Sequence, residues 1–228
     1  MTPHSGESAF NPLPPILWAL AALLALPELA FLVGGSGFSA AGAEGMRFNA
    51  IQMTAWIPEI FLARPLATAP WEQLYRLLTY SFVSVSAVGT LFVLAFTLAL
   101  GKAISGVFSQ WAIAALFLGS AIGGAIVQTL VAAMPGQPQM ALIGGYPAAY
   151  GLIGAFTWLL WMRLRATGGN PARAFALIGM LVVFQLTFAV MFSRHLPRDL
   201  LAEFAGFACG FFLSFLVSPG GWRRLRQR

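Results

Sequence analysis

Six long apolar runs constrain this chain more than any other feature of its sequence. They cover approximately residues 14–34, 77–100, 107–134, 141–162, 174–192 and 200–217, and a membrane-spanning helix needs about 20 mainly apolar residues. Charged residues make up only 9% of the 228 residues and apolar residues 59%, whereas a soluble domain carries about 25% charged residues. Such a chain cannot cover a water-facing surface of its own. The sequence therefore predicts an all-α membrane protein with six transmembrane helices.

The sequence outside these runs is too short for a second domain. We predict an N-terminal tail (1–13), one six-helix membrane domain (14–217) and a basic C-terminal tail (218–228). The first run is interpreted as a true span rather than a secretory signal, because no basic segment precedes it and no persuasive cleavage site follows. Cys209 is the only cysteine, so an internal disulfide is excluded.

Lysine and arginine residues predict the orientation, because they are enriched in the cytoplasmic connections of membrane proteins. If the N-terminus is cytoplasmic, eight of the 13 basic side chains lie on the cytoplasmic side. Three of the other five lie in one long loop, where charge has less influence. We therefore expect both termini in the cytoplasm. The net charge of +6 arises from these helix-end clusters and does not indicate nucleic-acid binding, and the tail around Trp222 is typical of an anchor to anionic lipid.

The only long connection, about residues 35–76, is predicted to be the first outer loop. Within it, residues 46–61 place apolar side chains at roughly helical spacing. Such a segment is typical of a helix in the plane of the membrane interface, or of an amphipathic helix packed on the outer faces of the bundle, and both interpretations stay open. Pro58, Pro65 and Pro70 predict breaks in this loop.

Small residues recur every four positions in two of the spans. The fourth span has Gly151 and Ala155, and the sixth has Gly206 and Gly210. Lipid supplies no hydrophobic drive between helices, so small residues that let backbones approach closely are typical of helix contacts in membranes. We predict that these two faces cross tightly. Packing of each face against some other neighbour is the competing interpretation.

Two acidic residues fall inside the apolar spans, where charged groups are costly and suggest a function. Glu28 follows Pro27 in the first span; it either accepts hydrogen bonds from freed backbone or a neighbouring helix, or marks a substrate path, and we favour the structural role. Glu203 lies near the start of the sixth span, where water from an outer cavity could reach it. The sequence has no metalloprotease motif and no histidines and cysteines at metal-ligand spacing. We therefore predict no metal and no cofactor.

Five stretches fall in register with these spans, at residues 75–82, 91–101, 119–124, 144–155 and 202–210. In that order they resemble landmarks of the rhomboid family of intramembrane serine proteases. Residues 144–155 resemble the family's nucleophile motif, G-x-S-G-x-x-x-G-L-x-G-A, and residues 202–210 resemble its A-H-x-x-G-x-x-x-G. The resemblance covers approximately residues 45–217 and implies a six-helix rhomboid-like bundle with a water-accessible cavity that opens outward.

The same resemblance places the family's catalytic positions on residues unsuited to its chemistry. The nucleophile position is Tyr146 and the base position is Glu203, while the oxyanion positions are Gly89, Val93 and Pro147. A phenol with an ordinary pKa of about 10 is a poor acyl-transfer nucleophile, glycine and valine side chains donate no hydrogen bond, and proline lacks a backbone N–H. We hypothesise instead that the Tyr146 hydroxyl donates to the Glu203 carboxylate and ties the fourth span to the sixth. A solvated glutamate near the headgroups is the alternative.

These residues predict a rhomboid-like pseudoprotease of a bacterial-type inner membrane, which binds or escorts transmembrane clients without cleaving them. The client-binding role is an analogy at the level of the fold. The first alternative is an active rhomboid-type endopeptidase that uses unrecognised groups. The second is a small channel or transporter, although the sequence lacks inverted repeats and paired broken helices. The expected partners are the lipid bilayer and transmembrane segments of clients.

Overall fold

The computed structural model describes residues 13–35, 40–63, 73–136, 140–188 and 200–218. Its helices include α1 (Pro15–Gly35), α2 (Ala40–Thr54), α3 (Pro58–Ala63), α4 (Arg76–Thr79), α5 (Ala87–Ser105), α6 (Gln110–Ala132), α7 (Tyr146–Ala166), α8 (Ala176–Phe188) and α9 (Leu200–Val217), with 3₁₀ turns at Tyr80–Phe82 and Pro171–Phe175. Within these ranges there is no sheet, and one isolated antiparallel bridge joins Trp56 to Leu142. The described chain is all-helical, as the sequence predicts.

Four of the described helices are long and apolar enough to cross a membrane: Pro15–Gly34, Ala87–Ser105, Gln110–Ala132 and Leu200–Val217. A shorter apolar helix covers Pro171–Thr187. α7 has 21 residues but is less apolar, since Arg163 and Arg165 lie in its last turn. Most of its first half is buried by the surrounding helices. The membrane character of the chain is confirmed, with four of the six predicted spans meeting the criteria of length and apolarity.

The predicted start of the second span, at residue 77, is wrong. The helix of this span, α5, begins at Ala87, because the Ser86 side chain accepts a hydrogen bond from Gly89 N at 3.1 Å and caps the helix. The segment before it forms α4 and a 3₁₀ turn. Tyr80 holds that turn against α6, since its buried hydroxyl donates to Ala121 O at 2.6 Å.

A bridge between Trp56 and Leu142 interrupts two other predicted helices. The backbone N–H of each residue donates to the carbonyl of the other, at 3.1 and 2.8 Å, and the Trp56 indole donates to Thr129 Oγ1 at 2.9 Å. The predicted helix over residues 46–61 is therefore divided into α2 and α3, and the fourth span begins at Tyr146 rather than at residue 141. α2 packs against α1 and leaves most of its side chains exposed, so both placements considered for it stay open.

α7 and α9 form the most extensive helix contact in the described part of the chain. A methyl group built on Gly206 would lie 2.1 Å from Pro147 O, and one built on Gly210 would lie 1.9 Å from Gly151 O. Ala155, one turn further along α7, is fully buried. Only glycine permits such an approach of one backbone to another.

Tyr80 provides a direct test of the contact between its 3₁₀ turn and α6. Substituting Tyr80→Phe removes a hydroxyl that is fully buried and bonded to Ala121 O, and we expect the free energy of unfolding to fall by about 0.5–1.5 kcal/mol. Tyr75→Phe is the matched control, because the Tyr75 hydroxyl donates to Met53 O while the side chain is 44% exposed. The control should change stability by less than about 0.5 kcal/mol. Reversible unfolding in detergent measures both, and equal effects would contradict the assignment.

Candidate functional site

The amino-terminal ends of α5, α7 and α9 meet at one end of the bundle. Tyr146 is the first residue of α7, and a methyl group built on Gly89 of α5 would lie 3.5 Å from its hydroxyl. Gly145 caps α7 and approaches α5 as well, since a methyl group there would lie 2.8 Å from Val93 Cγ1. Glu203 lies in the first turn of α9 and interacts electrostatically with Tyr146.

The start of α7 is fixed by backbone contacts. Gly144 has a left-handed φ of 99°, which favours glycine, and its N–H donates to Tyr80 O at 2.9 Å. Pro147 is buried in the first turn of the helix, where its missing N–H costs no helical hydrogen bond. The start of α7 therefore presents a phenol and a proline beside Gly89.

Glu203 interacts with side chains from two neighbouring helices, α7 and α8. It is 6% exposed, and its place in the first turn of α9 is one where the helix dipole favours a carboxylate. Gln185 of α8 donates from Nε2 to Glu203 Oε2 at 2.6 Å. Tyr150 of α7 faces the same carboxylate and interacts with it electrostatically. We call Glu203, Gln185 and Tyr150 the carboxylate cluster; it joins α7, α8 and α9.

The predicted tie between Tyr146 and Glu203 differs from the contacts that the structure records. Tyr146 is within electrostatic range of Glu203, but its hydroxyl lies beside Gly89, and Tyr150, one turn deeper in α7, faces the carboxylate. The alternative of a solvated glutamate does not fit a side chain that is 6% exposed. Sequence reasoning missed Gln185, although a single glutamine in the apolar run 176–188 is a signal that could have identified it.

Glu28 is bound by two neighbouring helices. Arg47 of α2 forms a bidentate ion pair with it, with Nη1 3.0 Å from Oε2 and Nη2 bonded to Oε1. Thr90 of α5 donates to Oε2 at 2.9 Å. The same Arg47 donates to Ser84 O at 3.0 Å, and its guanidinium carbon lies 4.8 Å from the centre of the Phe31 ring. Of the roles considered for Glu28, the structure gives it that of an acceptor between neighbouring helices.

Groups for other kinds of chemistry are sparse in the part of the chain that the structure describes. No group of three or more histidine, cysteine, aspartate and glutamate side chains there could hold a metal ion. Cys209 is a free thiol that lies 3.6 Å from Gly119 O at the contact between α9 and α6. The predicted lipid anchor around Trp222 and the connection between α8 and α9 lie outside the described residues.

Comparison with known proteins identifies the domain. Residues 71–220 match the family model described as the Rhomboid domain. This range is more than half of the chain and contains α4 to α9, including the three helix ends that meet at Tyr146. No curated protein matches the chain.

Proposed function

Because the chain belongs to the rhomboid family, we propose that it is a catalytically inactive member of that family. In this role it binds or escorts transmembrane helices of client proteins without cleaving them. The observation that carries the proposal is the carboxylate cluster. The acidic residue at the family's base position is held by an amide from Gln185 and faced by the phenol of Tyr150, so its contacts are those of a bond between helices.

The residues at the oxyanion positions support the same conclusion. Acyl transfer develops a negative charge on the carbonyl oxygen, and an enzyme stabilises it with preorganised hydrogen-bond donors. Gly89 and Val93 have side chains without donors, and Pro147 has no backbone N–H. Tyr146 places its hydroxyl next to Gly89, so a phenol fills the space where the family's donor and nucleophile would face each other.

The proposal includes the full six-span topology. α7 and α8 would cross the membrane together with the four helices that are long and apolar enough to do so. α7 tolerates lower apolarity because its neighbours, rather than lipid, surround its first half, and Arg163 and Arg165 lie in its last turn, where basic residues are enriched at the cytoplasmic ends of spans. Both termini would lie in the cytoplasm of a bacterial-type inner membrane, as the distribution of arginine and lysine indicates. The bilayer and client helices would be its partners.

A serine-directed fluorophosphonate probe tests whether the protein is inactive. We expect the purified protein in detergent to show no labelling above that of a heat-denatured sample, because no activated serine occupies the nucleophile position. Specific labelling that disappears when one residue is substituted would overturn the proposal. It would support the alternative of an active endopeptidase that uses unrecognised groups.

A restored variant provides the positive control for this probe. It combines Tyr146→Ser, Pro147→Gly and Glu203→His with Gly89→His and Val93→Asn, and we expect labelling above the denatured background. A Cβ at position 89 would lie 3.3 Å from Ser86 Oγ and 3.5 Å from the Tyr146 hydroxyl, and the variant removes the second of these contacts. The triple variant without the changes at 89 and 93 should label less, since its oxyanion donors are still missing.

A further inference from the structure

We propose that the carboxylate cluster selects client helices that carry an amide or amine side chain at the depth of Glu203. In the free protein, Gln185 occupies the place of that client side chain. This inference rests on the proposed function, and it names the class of client that the protein recognises. The inference rests on one contact, in which the Gln185 amide of the loosely packed helix α8 covers the buried Glu203 carboxylate.

The chemistry of the cluster favours a donor. A hydrogen bond to a carboxylate is shorter and about twice as strong as one between neutral groups, and the Nε2 to Oε2 distance of 2.6 Å is of this kind. A polar side chain on a transmembrane helix is costly unless it finds a partner. Glu203 offers such a partner to an amide or an amine and would repel a second carboxylate.

Only one of the two polar atoms of the Gln185 amide is hydrogen-bonded within the described part of the chain. Its Nε2 donates to Glu203, whereas its Oε1 is buried and has no hydrogen-bond partner among the described residues. An unsatisfied buried carbonyl costs roughly 1–3 kcal/mol. Displacing Gln185 therefore breaks a single described hydrogen bond, and a client donor that replaces it at Glu203 Oε2 can compete for the carboxylate.

The helix that carries Gln185 has few contacts with the other described helices. Ile178 is the one buried residue among the side chains described for α8, and Met180, Val183 and Phe184 are 74%, 64% and 65% exposed. α9, in contrast, packs its glycines directly on the backbone of α7. Movement of α8 would expose the carboxylate while α7 and α9 stay together.

Binding of designed transmembrane peptides tests the inference. The full chain is reconstituted in nanodiscs, and fluorescent leucine–alanine helices are titrated against it, each with a glutamine, lysine, leucine or glutamate at the depth of Glu203. We expect the glutamine and lysine peptides to bind about tenfold more tightly than the leucine peptide, in line with hydrogen bonds between helices in membranes. The glutamate peptide should bind no better than the leucine peptide.

Variants assign the preference to the cluster. Gln185→Leu removes the internal competitor, so the glutamine and lysine peptides should bind several-fold more tightly and the leucine peptide as before. Glu203→Leu should abolish the preference, and the isosteric Glu203→Gln should reduce it most for the lysine peptide. Gln128→Leu is the matched control, because Gln128 is also buried, donates to Met140 O and has an Oε1 without a hydrogen-bond partner among the described residues, but it lies on α6. It should leave all four affinities unchanged.

The outcomes separate this inference from the function on which it rests. Equal binding of all four peptides, or a preference that survives both Glu203 substitutions, would overturn the inference and leave client binding standing. No binding of any peptide would overturn the client-binding function, and this inference with it.

Discussion

Substituting Gly210→Ala is expected to lower the free energy of unfolding by about 3 kcal/mol, the upper end of the usual range for an overpacked core. The added methyl group would lie 1.9 Å from Gly151 O and 2.6 Å from Gly151 Cα. Both atoms belong to the backbone, so no flexible side chain can move aside. α7 and α9 must separate, and they lose van der Waals contacts along the interface that holds them together in lipid.

Gly179→Ala is the matched control for this substitution. Gly179 lies inside α8, and a methyl group built on it meets no atom within 4 Å. Since alanine favours a helix over glycine by about 0.5–1 kcal/mol, the control should be as stable as the wild type or slightly more stable. Reversible unfolding in mixed micelles measures both variants. A Gly210→Ala protein that unfolds like the wild type would show that the two backbones are not in contact at this depth.

The sequence could predict the helical, membrane-spanning character because length and apolarity decide it. α9 begins and ends where its apolar run does, at residues 200 and 217. The start of α5 could not be predicted in the same way, since residues 77–86 are apolar enough to continue the span. The interruption of the helix at these residues depends on the Ser86 cap and on the hydrogen bond from Tyr80 to Ala121. The second of these exists only in the folded chain.

The partners of the two buried carboxylates also depend on tertiary structure. Tyr146 and Tyr150 are four residues apart, so they share one face of α7, and the sequence alone gives no means to choose which hydroxyl reaches Glu203. Gln185 comes from another helix, whose rotation is set by packing. For Glu28, the sequence allowed a donor from a neighbouring helix. It could not identify Arg47 as that donor, because Arg47 lies in a long loop whose position relative to α1 does not follow from residue spacing.

Substituting Arg47→Leu is expected to lower the free energy of unfolding by about 3–5 kcal/mol, the range for breaking a buried ion pair by removing one partner. The Glu28 side chain would remain buried. Among the described residues, the Thr90 hydroxyl would be the side-chain donor left to its carboxylate. Ser84 O would lose its guanidinium donor as well. The slight exposure of the pair, 17% and 11% of the two side chains, places the effect near the lower end of this range.

The double substitution Glu28→Leu and Arg47→Leu should recover most of this loss, because replacing a buried ion pair with apolar side chains is often neutral. Glu59→Gln, an exposed position on α3, is the control and should change stability by less than about 0.5 kcal/mol. Unfolding of the wild type, the single variants Arg47→Leu and Glu28→Leu, and the double variant gives the coupling energy between Arg47 and Glu28. A double variant as unstable as Arg47→Leu alone would mean that Arg47 stabilises the fold through Ser84 and Phe31. Recovery would show that an unpaired carboxylate causes the loss, and that the ion pair fastens α2 to α1 and α5 beside the site.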